Sequence, residues 1–120
     1  MQAIKAVRLR ELAMNAMQDC RDAVLLLSGG VDSATMLAAA LACGYKPRIF
    51  TFRLSHYVSS DFRVAESMAK TFGCEFHPVV IPADVSRLGA DVQKVISVTG
   101  SSLKTHVQCS HPFLYLCEEA

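Results

Sequence analysis

The chain has 120 residues, of which 52% are hydrophobic and 19% are charged, and its formal net charge is +1. This length limits the chain to one domain, and the near-neutral charge without a basic block gives no support for nucleic acid binding by bulk charge. No apolar run reaches the ~18 residues of a membrane span, and residues 1–12 lack the apolar core of a signal peptide. We therefore expect a cytoplasmic protein without a membrane segment.

The five cysteines argue against a structural metal or disulfide framework. They are odd in number, lie far apart and form no CxxC pair. Such a pattern is typical of reduced thiols in a cytosolic protein. We expect Cys43 and Cys74 to act as small apolar side chains in the core.

An amphipathic helix is predicted over residues 3–18, because apolar residues recur there at helical spacing. The charged residues of this segment are expected on the solvent side, and the apolar residues are expected to face the protein. The apolar set comprises Ile4, Val7, Leu9, Leu12, Ala13, Ala16 and Met17, and the charged set comprises Arg8, Arg10 and Glu11.

Strands and helices are predicted to alternate after this first helix. Residues 23–27 form a continuous apolar run, typical of a strand buried on both faces, and residues 33–43 are rich in helix-forming Ala, Leu and Met. Residues 47–54 alternate and are rich in aromatic and β-branched side chains, which predicts a second strand. A helix over 59–72 and a third strand over 75–81 follow.

The remaining predictions concern the edges and caps of elements. Pro78 favours an edge position or a bulge for the third strand, because proline cannot donate to a strand ladder. Asp84 or Ser86 is expected to cap a fourth helix. The last helix is predicted to begin near Ser110 after a polar loop, with Pro112 in its first turn.

This order of elements predicts an α/β fold with a parallel sheet and helices on both faces. We expect a single domain over residues 1–120, with a leading helix in 1–20 and the α/β core in 23–120. Three strands are few for such a sheet, which usually has about five or six. We therefore expect the N-terminal part of a longer domain, or a homo-oligomer or other partner that covers the open sheet edge.

The stretch LLLSGGVDSAT, residues 25–35, places two glycines between a buried strand and a helix. Gly29 and Gly30 lack a β-carbon, so backbone amides can approach a ligand closely. The first amides of the helix have no internal partner and lie at the positive end of its dipole. With the hydroxyls of Ser28 and Ser33, these groups predict a cradle for phosphate.

Asp32 is unexpected in an anion site, because a carboxylate repels phosphate unless a cation lies between them. Mg²⁺ is the cation expected there, since it binds one or two carboxylates together with phosphate oxygens. The alternative is that Asp32 merely caps the helix and that the stretch is a simple Gly-Gly turn. The motifs GxxxxGK[ST] and GxGxxG are absent from this stretch.

The stretch SGGVDS resembles the PP-loop, SGGxDS, of the ATP pyrophosphatase superfamily, and every defined position matches. The resemblance implies a Rossmann-like fold, of the adenine nucleotide alpha hydrolase-like type, with ATP at the carboxyl ends of the strands. It implies transfer of AMP to a substrate oxygen, release of pyrophosphate, and displacement of AMP by a nucleophile such as ammonia or a sulfur donor. It assigns no catalytic side chain.

The resemblance also implies the residues that bind ATP. The loop is expected to hold the pyrophosphate part, with Asp32 on Mg²⁺, and Leu27 is expected to pack on the adenosine. Backbone groups at the end of the second strand are expected to meet the adenine. The complete set comprises Leu27, Ser28, Gly29, Gly30, Val31, Asp32, Ser33, Thr51, Phe52 and Arg53.

Two segments are similar to the synthetase domain of asparagine synthetases. They are VRLRELAMNAMQDCRDAVLLLSGGVDSATMLAAAL, residues 7–41, and THVQCSHPFLYL, residues 105–116. This similarity implies an ATP-dependent, AMP-forming ligase that adenylates a carboxylate or amide oxygen and forms a C–N bond. Gln108 stands where that family carries an arginine, which speaks against aspartate as the substrate.

A small-molecule substrate is expected near the last helix, where the polar residues Lys104, Thr105, His106, Gln108 and Ser110 cluster. Three readings stay open at this point: the asparagine synthase-like ligase, a PP-loop enzyme of another branch, and a non-catalytic nucleotide-binding or assembly module. The second reading includes tRNA-modifying sulfur transfer and deazapurine synthesis, so tRNA stays open as a partner although nucleic acid binding is not expected.

Overall fold

The computed structural model describes residues 2–120 of the chain. In these residues five helices and three strands follow one another in the order α1 (Gln2–Gln18), β1 (Val24–Leu26), α2 (Val31–Ala42), β2 (Arg48–Leu54), α3 (Ser60–Thr71), β3 (Phe76–Ile81), α4 (Val85–Thr99) and α5 (Lys104–Glu119). None of the described helices combines the length and the apolar character that crossing a bilayer requires.

The three described strands form an open parallel sheet in the order β1-β2-β3. Val24 of β1 pairs with Arg48 of β2 in parallel register. On the other side of β2, the Ile49 amide donates to the Glu75 carbonyl at 2.8 Å. The predicted Rossmann-like α/β class is thereby confirmed. Strand β3 lies at an edge, where the missing amide of Pro78 is tolerated, and a partner on an open edge stays a prediction.

The described chain forms two compact units. The first comprises residues 2–51 and 59–77, and the second comprises residues 52–58 and 78–120. The single domain over residues 1–120 stays a prediction.

The core of the first unit lies between the sheet and helices α2 and α3. Alanines 65 and 69 of α3 are fully buried, and their small side chains let the helix backbone approach the sheet closely. Cys74 is a buried member of this core, as expected for a small apolar side chain, and burial raises the pKa of its thiol. The buried cluster comprises Leu27, Leu37, Ile49, Ala65, Ala69 and Cys74.

The second unit has its own buried side chains on α4 and α5. Val95 of α4 and Tyr115 and Leu116 of α5 are buried. Asp84 caps α4, because its carboxylate accepts hydrogen bonds from the backbone amides of Ser86 and Arg87. Of the two predicted caps, Asp84 and Ser86, the structure therefore shows Asp84.

Helix α1 forms as predicted, but the predicted burial of its apolar side is wrong for its N-terminal part. Ile4, Val7, Leu9 and Leu12 are 71%, 56%, 62% and 58% exposed. Met17, near the end of the helix, is buried against alanines of α2. The C-terminal half of the helix packs on α2, whereas these four earlier apolar side chains stay more than half exposed in residues 2–120.

Helix α5 begins six residues earlier than predicted, at Lys104 instead of near Ser110. Pro112 consequently lies inside the helix, where it provides no amide for the carbonyl four residues earlier. Propensity alone favours proline in the first turn. The first turn is nevertheless hydrogen-bonded, because the Val107 amide donates to the Leu103 carbonyl at 3.0 Å, and Val107 is partly buried.

Candidate functional site

The SGGVDS stretch connects β1 to α2 in the first unit. Helix α2 begins at Val31, and Gly30 is its N-cap residue in an extended conformation, without a side-chain cap. Asp32 therefore lies in the first turn of the helix, and the alternative in which its carboxylate caps α2 is wrong. Its side chain is exposed.

The first backbone amides of α2 are the groups of this turn best suited to bind an anion. The amide of Ala34 donates to the Gly30 carbonyl at 3.1 Å, which is the first hydrogen bond of the helix. The preceding amides of Val31, Asp32 and Ser33 have no carbonyl to reach within the helix. Their dipoles and that of the helix favour an anion at this end. This geometry agrees with the predicted phosphate cradle.

The two serine hydroxyls hold the turn closed. The Ser28 amide donates to Ser33 Oγ at 3.1 Å, and the two hydroxyl oxygens are also 3.1 Å apart. Ser33 Oγ donates to the Gly30 carbonyl at 3.3 Å. The serines thus shape the loop in addition to supplying hydroxyl groups, a role that the sequence analysis missed. The available signal was one serine directly before the two glycines and another three residues after them.

The two glycines of the loop differ in what their surroundings require. Gly29 has φ = 80°, a left-handed conformation, and a β-carbon there would lie 2.7 Å from the carbonyl oxygen of Asp61. Gly30 has φ = −86°, which any residue can adopt, and a β-carbon there would come near only Ser28 Oγ, at 3.4 Å. Packing therefore explains Gly29, whereas the backbone conformation and neighbours of Gly30 do not by themselves require a glycine.

The Mg²⁺ ligand predicted at Asp32 is an exposed carboxylate in the first turn of α2. No group of three or more His, Cys, Asp or Glu side chains in residues 2–120 could hold a metal ion. A cation bound here would take its other ligands from phosphate oxygens and water, as Mg²⁺ usually does. The Mg²⁺ site at Asp32 stays a prediction.

The end of β1 is fixed against β2 by Leu27 and Thr51. The Thr51 hydroxyl donates to the Leu27 carbonyl at 2.8 Å, and the Leu27 amide donates to the Phe50 carbonyl at 3.0 Å. Leu27 is 2% exposed and belongs to the core cluster, and Thr51 is 4% exposed. These contacts position the start of the loop, while the predicted contacts of both residues with adenosine stay predictions.

The other predicted ATP-binding residues, Phe52 and Arg53, belong to the second unit. The Phe52 ring meets the Phe113 ring edge-on, with centroids 5.7 Å apart. Arg53 Nε donates to the Leu54 carbonyl at 3.3 Å. Their predicted contact with adenine through the backbone stays a prediction.

The predicted substrate residues lie on α5 of the second unit, not in a loop. Lys104, Thr105 and Gln108 are exposed, and Ser110 is half-buried. His106 Nδ1 and the Ser101 hydroxyl form a hydrogen bond of 2.8 Å. All five residues lie in the N-terminal half of α5, and their contact with a substrate stays a prediction.

A charged network between α4 and α5 was missed by the sequence analysis. Asp91 Oδ2 accepts hydrogen bonds from the Tyr115 hydroxyl and from His111 Nε2, the latter at 3.2 Å. Arg87 Nε lies 3.8 Å from Asp91 Oδ1. The hydrogen bond from Tyr115, more than that from His111, holds the pKa of Asp91 below its usual value, although partial burial opposes this shift. The four-residue spacing of His111 and Tyr115 was the only signal in the sequence.

A parallel α/β sheet whose first strand leads through an SGGxDS loop into a helix defines the PP-loop ATP pyrophosphatase class. The sequence model of the asparagine synthase family matches residues 7–120. The chain belongs to the asparagine synthase family.

Several curated relatives carry the name 7-cyano-7-deazaguanine synthase. The relative from Paramagnetospirillum magneticum is 33% identical over 80% of this chain and 42% of its own length. The relative from Ralstonia nicotianae is 34% identical over 78% of this chain and 41% of its own length. That from Cupriavidus metallidurans is 39% identical over 56% of this chain. The chain spans about two fifths of the length of the first and second of these relatives.

Proposed function

We propose that the chain is the ATP-binding part of an enzyme that makes a nitrile-bearing deazapurine, with release of AMP and pyrophosphate. The observation that carries the ATP site is the loop itself, in which Gly30 leads into α2 and the amides of Val31, Asp32 and Ser33 precede the first hydrogen bond of the helix. The relatives' name supports the deazapurine product, which was one of the alternatives considered from the sequence.

The proposed reaction must activate the carboxylate oxygens of the substrate, but it involves no change of oxidation state. A nitrile carbon has the same oxidation level as a carboxylic acid, so nitrogen can replace oxygen once each oxygen has become a leaving group. Transfer of AMP from one ATP to a carboxylate oxygen would release pyrophosphate, and ammonia would displace that AMP to form an amide. Transfer of AMP from a second ATP to the amide oxygen would release a second pyrophosphate, and loss of this AMP and two protons would form the nitrile. The amides of Val31, Asp32 and Ser33 would stabilise the negative charge that develops on the departing pyrophosphate. Mg²⁺ held by Asp32 would neutralise part of the same charge.

An asparagine synthase-like ligase is the second candidate, because the family match covers residues 7–120. It would use the same loop and the same adenylation but would stop at an amide. The comparisons support the deazapurine product better, since the relatives that cover most of this chain carry that name. Sulfur transfer to tRNA and a module without catalysis have no finding in their favour.

Calorimetric titration with ATP in the presence and absence of Mg²⁺ tests the ATP site. We expect Mg²⁺-dependent binding that weakens at least about tenfold in Asp32→Ala, since a charge-assisted metal ligand contributes more than about 1.4 kcal/mol. Asp22→Ala removes an exposed carboxylate outside the loop and should bind like the unchanged chain. Absence of binding at millimolar ATP would contradict the proposal.

The product is tested by measuring pyrophosphate release with ammonia and two alternative acceptors, a 7-carboxylated 7-deazaguanine and aspartate. Release with the deazapurine, together with a nitrile product in mass spectrometry, is the expected result. Release with aspartate alone would favour the asparagine synthase-like ligase.

A further inference from the structure

The SGGVDS loop rests on the first turn of helix α3. The direction in which a β-carbon of Gly29 would point is occupied by the backbone of Asp61, whose carbonyl oxygen would lie 2.7 Å from that atom. Only a hydrogen atom fits between the two backbones. Because both segments belong to the first compact unit, this contact is part of one packed body.

The first turn of α3 is itself held by a cap and by buried side chains. Ser59 is the N-cap residue, and its hydroxyl accepts a hydrogen bond of 3.1 Å from the Phe62 amide. Phe62 is 4% exposed, and its ring meets the Phe76 ring edge-on at a centroid distance of 5.5 Å. The Asp61 carbonyl lies between the capping serine and the anchored phenylalanine in sequence.

We propose that Ser59 is a positioning residue for the phosphate loop. By capping α3 it keeps the Asp61 backbone in place against Gly29, and this support holds the loop in the shape that presents the α2 amides. A helix start without its cap opens more often, and a loop that rests on it then samples other shapes. Amides that must first be ordered bind an anion more weakly than amides already in place. The effect on ATP rests on the proposed function, whereas the effect on loop order does not.

The test compares three variants by two measurements. Ser59→Ala removes the cap, Ser59→Asp replaces it with another residue that caps well, and Asp84→Ala removes the cap of α4 in the second unit as a matched control. The first measurement is hydrogen exchange, by NMR without ligand, of the Ser28 and Ala34 amides, which are hydrogen-bonded inside the loop. The second is the Kd for MgATP by calorimetry.

We expect Ser59→Ala to speed exchange of both amides about fivefold and to raise the Kd by a similar factor, which corresponds to the typical effect of losing an N-cap. Ser59→Asp should stay within about twofold of the unchanged chain in both measurements, and so should Asp84→Ala. Unchanged exchange in Ser59→Ala, an unchanged Kd, or equal effects in Asp84→Ala would each overturn the positioning role. Faster exchange in a chain that binds no MgATP would support the loop contact and overturn the proposed function instead.

Discussion

Two neighbouring glycines in the SGGVDS loop show how the same residue type answers two different constraints. At Gly29 the constraint is internal, because the backbone has positive φ and lies against Asp61. At Gly30 the protein imposes little, since its φ of −86° suits any residue and the nearest atom to an added β-carbon is 3.4 Å away. The sequence predicted both glycines as parts of an anion cradle, and that role stays a prediction for both.

This difference predicts different effects of the two alanine substitutions on the free energy of unfolding. Gly29→Ala should lower the free energy of unfolding by at least about 1–2 kcal/mol, because alanine is strained at positive φ and its β-carbon would clash with Asp61. Gly30→Ala should leave the free energy of unfolding within about 0.5 kcal/mol or raise it slightly. It should nevertheless weaken MgATP binding about tenfold, because the added methyl group would keep one phosphate oxygen from its hydrogen bond with an amide at the start of α2.

Denaturant unfolding and calorimetry of both variants check this prediction. Gly44→Ala is a control for backbone strain alone, because Gly44 has φ = 85° and no atom lies within 4 Å of an added β-carbon. Equal losses of stability in Gly29→Ala and Gly44→Ala would show that the contact with Asp61 adds nothing. Normal MgATP binding in Gly30→Ala would mean that the space beside Gly30 holds no ligand.

The Asp91 carboxylate forms hydrogen bonds between helices α4 and α5, and the periodicity of the sequence does not predict them. Asp91 accepts hydrogen bonds from Tyr115 and His111 on the facing helix, and Arg87 lies beside it. Its side chain is 13% exposed. A polar residue in this position would cost stability without partners, so the two hydrogen bonds are what makes it compatible with a packed interface.

The network makes the stability of the second unit depend on pH. Because the folded state lowers the pKa of Asp91, the carboxylate stabilises the fold fully above its unfolded pKa of about 3.9, and this contribution disappears as pH falls through the lower folded pKa. Asp91→Asn should therefore lower the free energy of unfolding by about 1–2 kcal/mol at pH 7, and the difference should shrink below about pH 4.

Denaturant unfolding of both chains from pH 7 to pH 3 measures this difference. Asp19→Asn removes an exposed carboxylate elsewhere and controls for the change in net charge. A difference between Asp91→Asn and the unchanged chain that stays constant down to pH 3 would contradict a stabilising carboxylate at Asp91.

The observed ends of helices match the predicted ones where the local sequence favours a single boundary. They differ where it favours two. Helix α2 ends at Ala42, followed by Gly44 with positive φ, as its sequence predicts. Helix α5 has conflicting signals, because Pro112 favours a helix start while the residues before it can also be helical. In the structure the Val107 amide donates to the Leu103 carbonyl, so the helix includes the residues before Pro112 and the proline lies inside it.

Two leucines that the sequence predicts to face the protein interior differ strongly in their exposed fraction. Leu27 is 2% exposed within the core cluster, whereas Leu9 on α1 is 62% exposed. Leu27→Ala should lower the free energy of unfolding by about 2–5 kcal/mol, because it leaves a cavity in packed surroundings. Leu9→Ala should change it by no more than about 0.5 kcal/mol, although the periodicity of residues 3–18 predicted an inward side chain.

Guanidinium unfolding of the two variants under the same conditions tests this difference. Comparable destabilisation by both substitutions would show that the apolar residues at the start of α1 are covered in solution. A loss of less than about 1 kcal/mol in Leu27→Ala would contradict its place in the core.

The sequence by itself determined the order of strands and helices, the parallel α/β class and the SGGVDS loop with its unpaired amides. Each of these depends on residues close together in the chain, where periodicity, glycine and helix ends act locally. The tertiary structure decided which side of α1 is covered, that Gly29 lies against Asp61, and that Asp91 meets His111 and Tyr115. These features join residues at least 20 positions apart or depend on whether a second segment packs nearby, and no local pattern specifies such pairings.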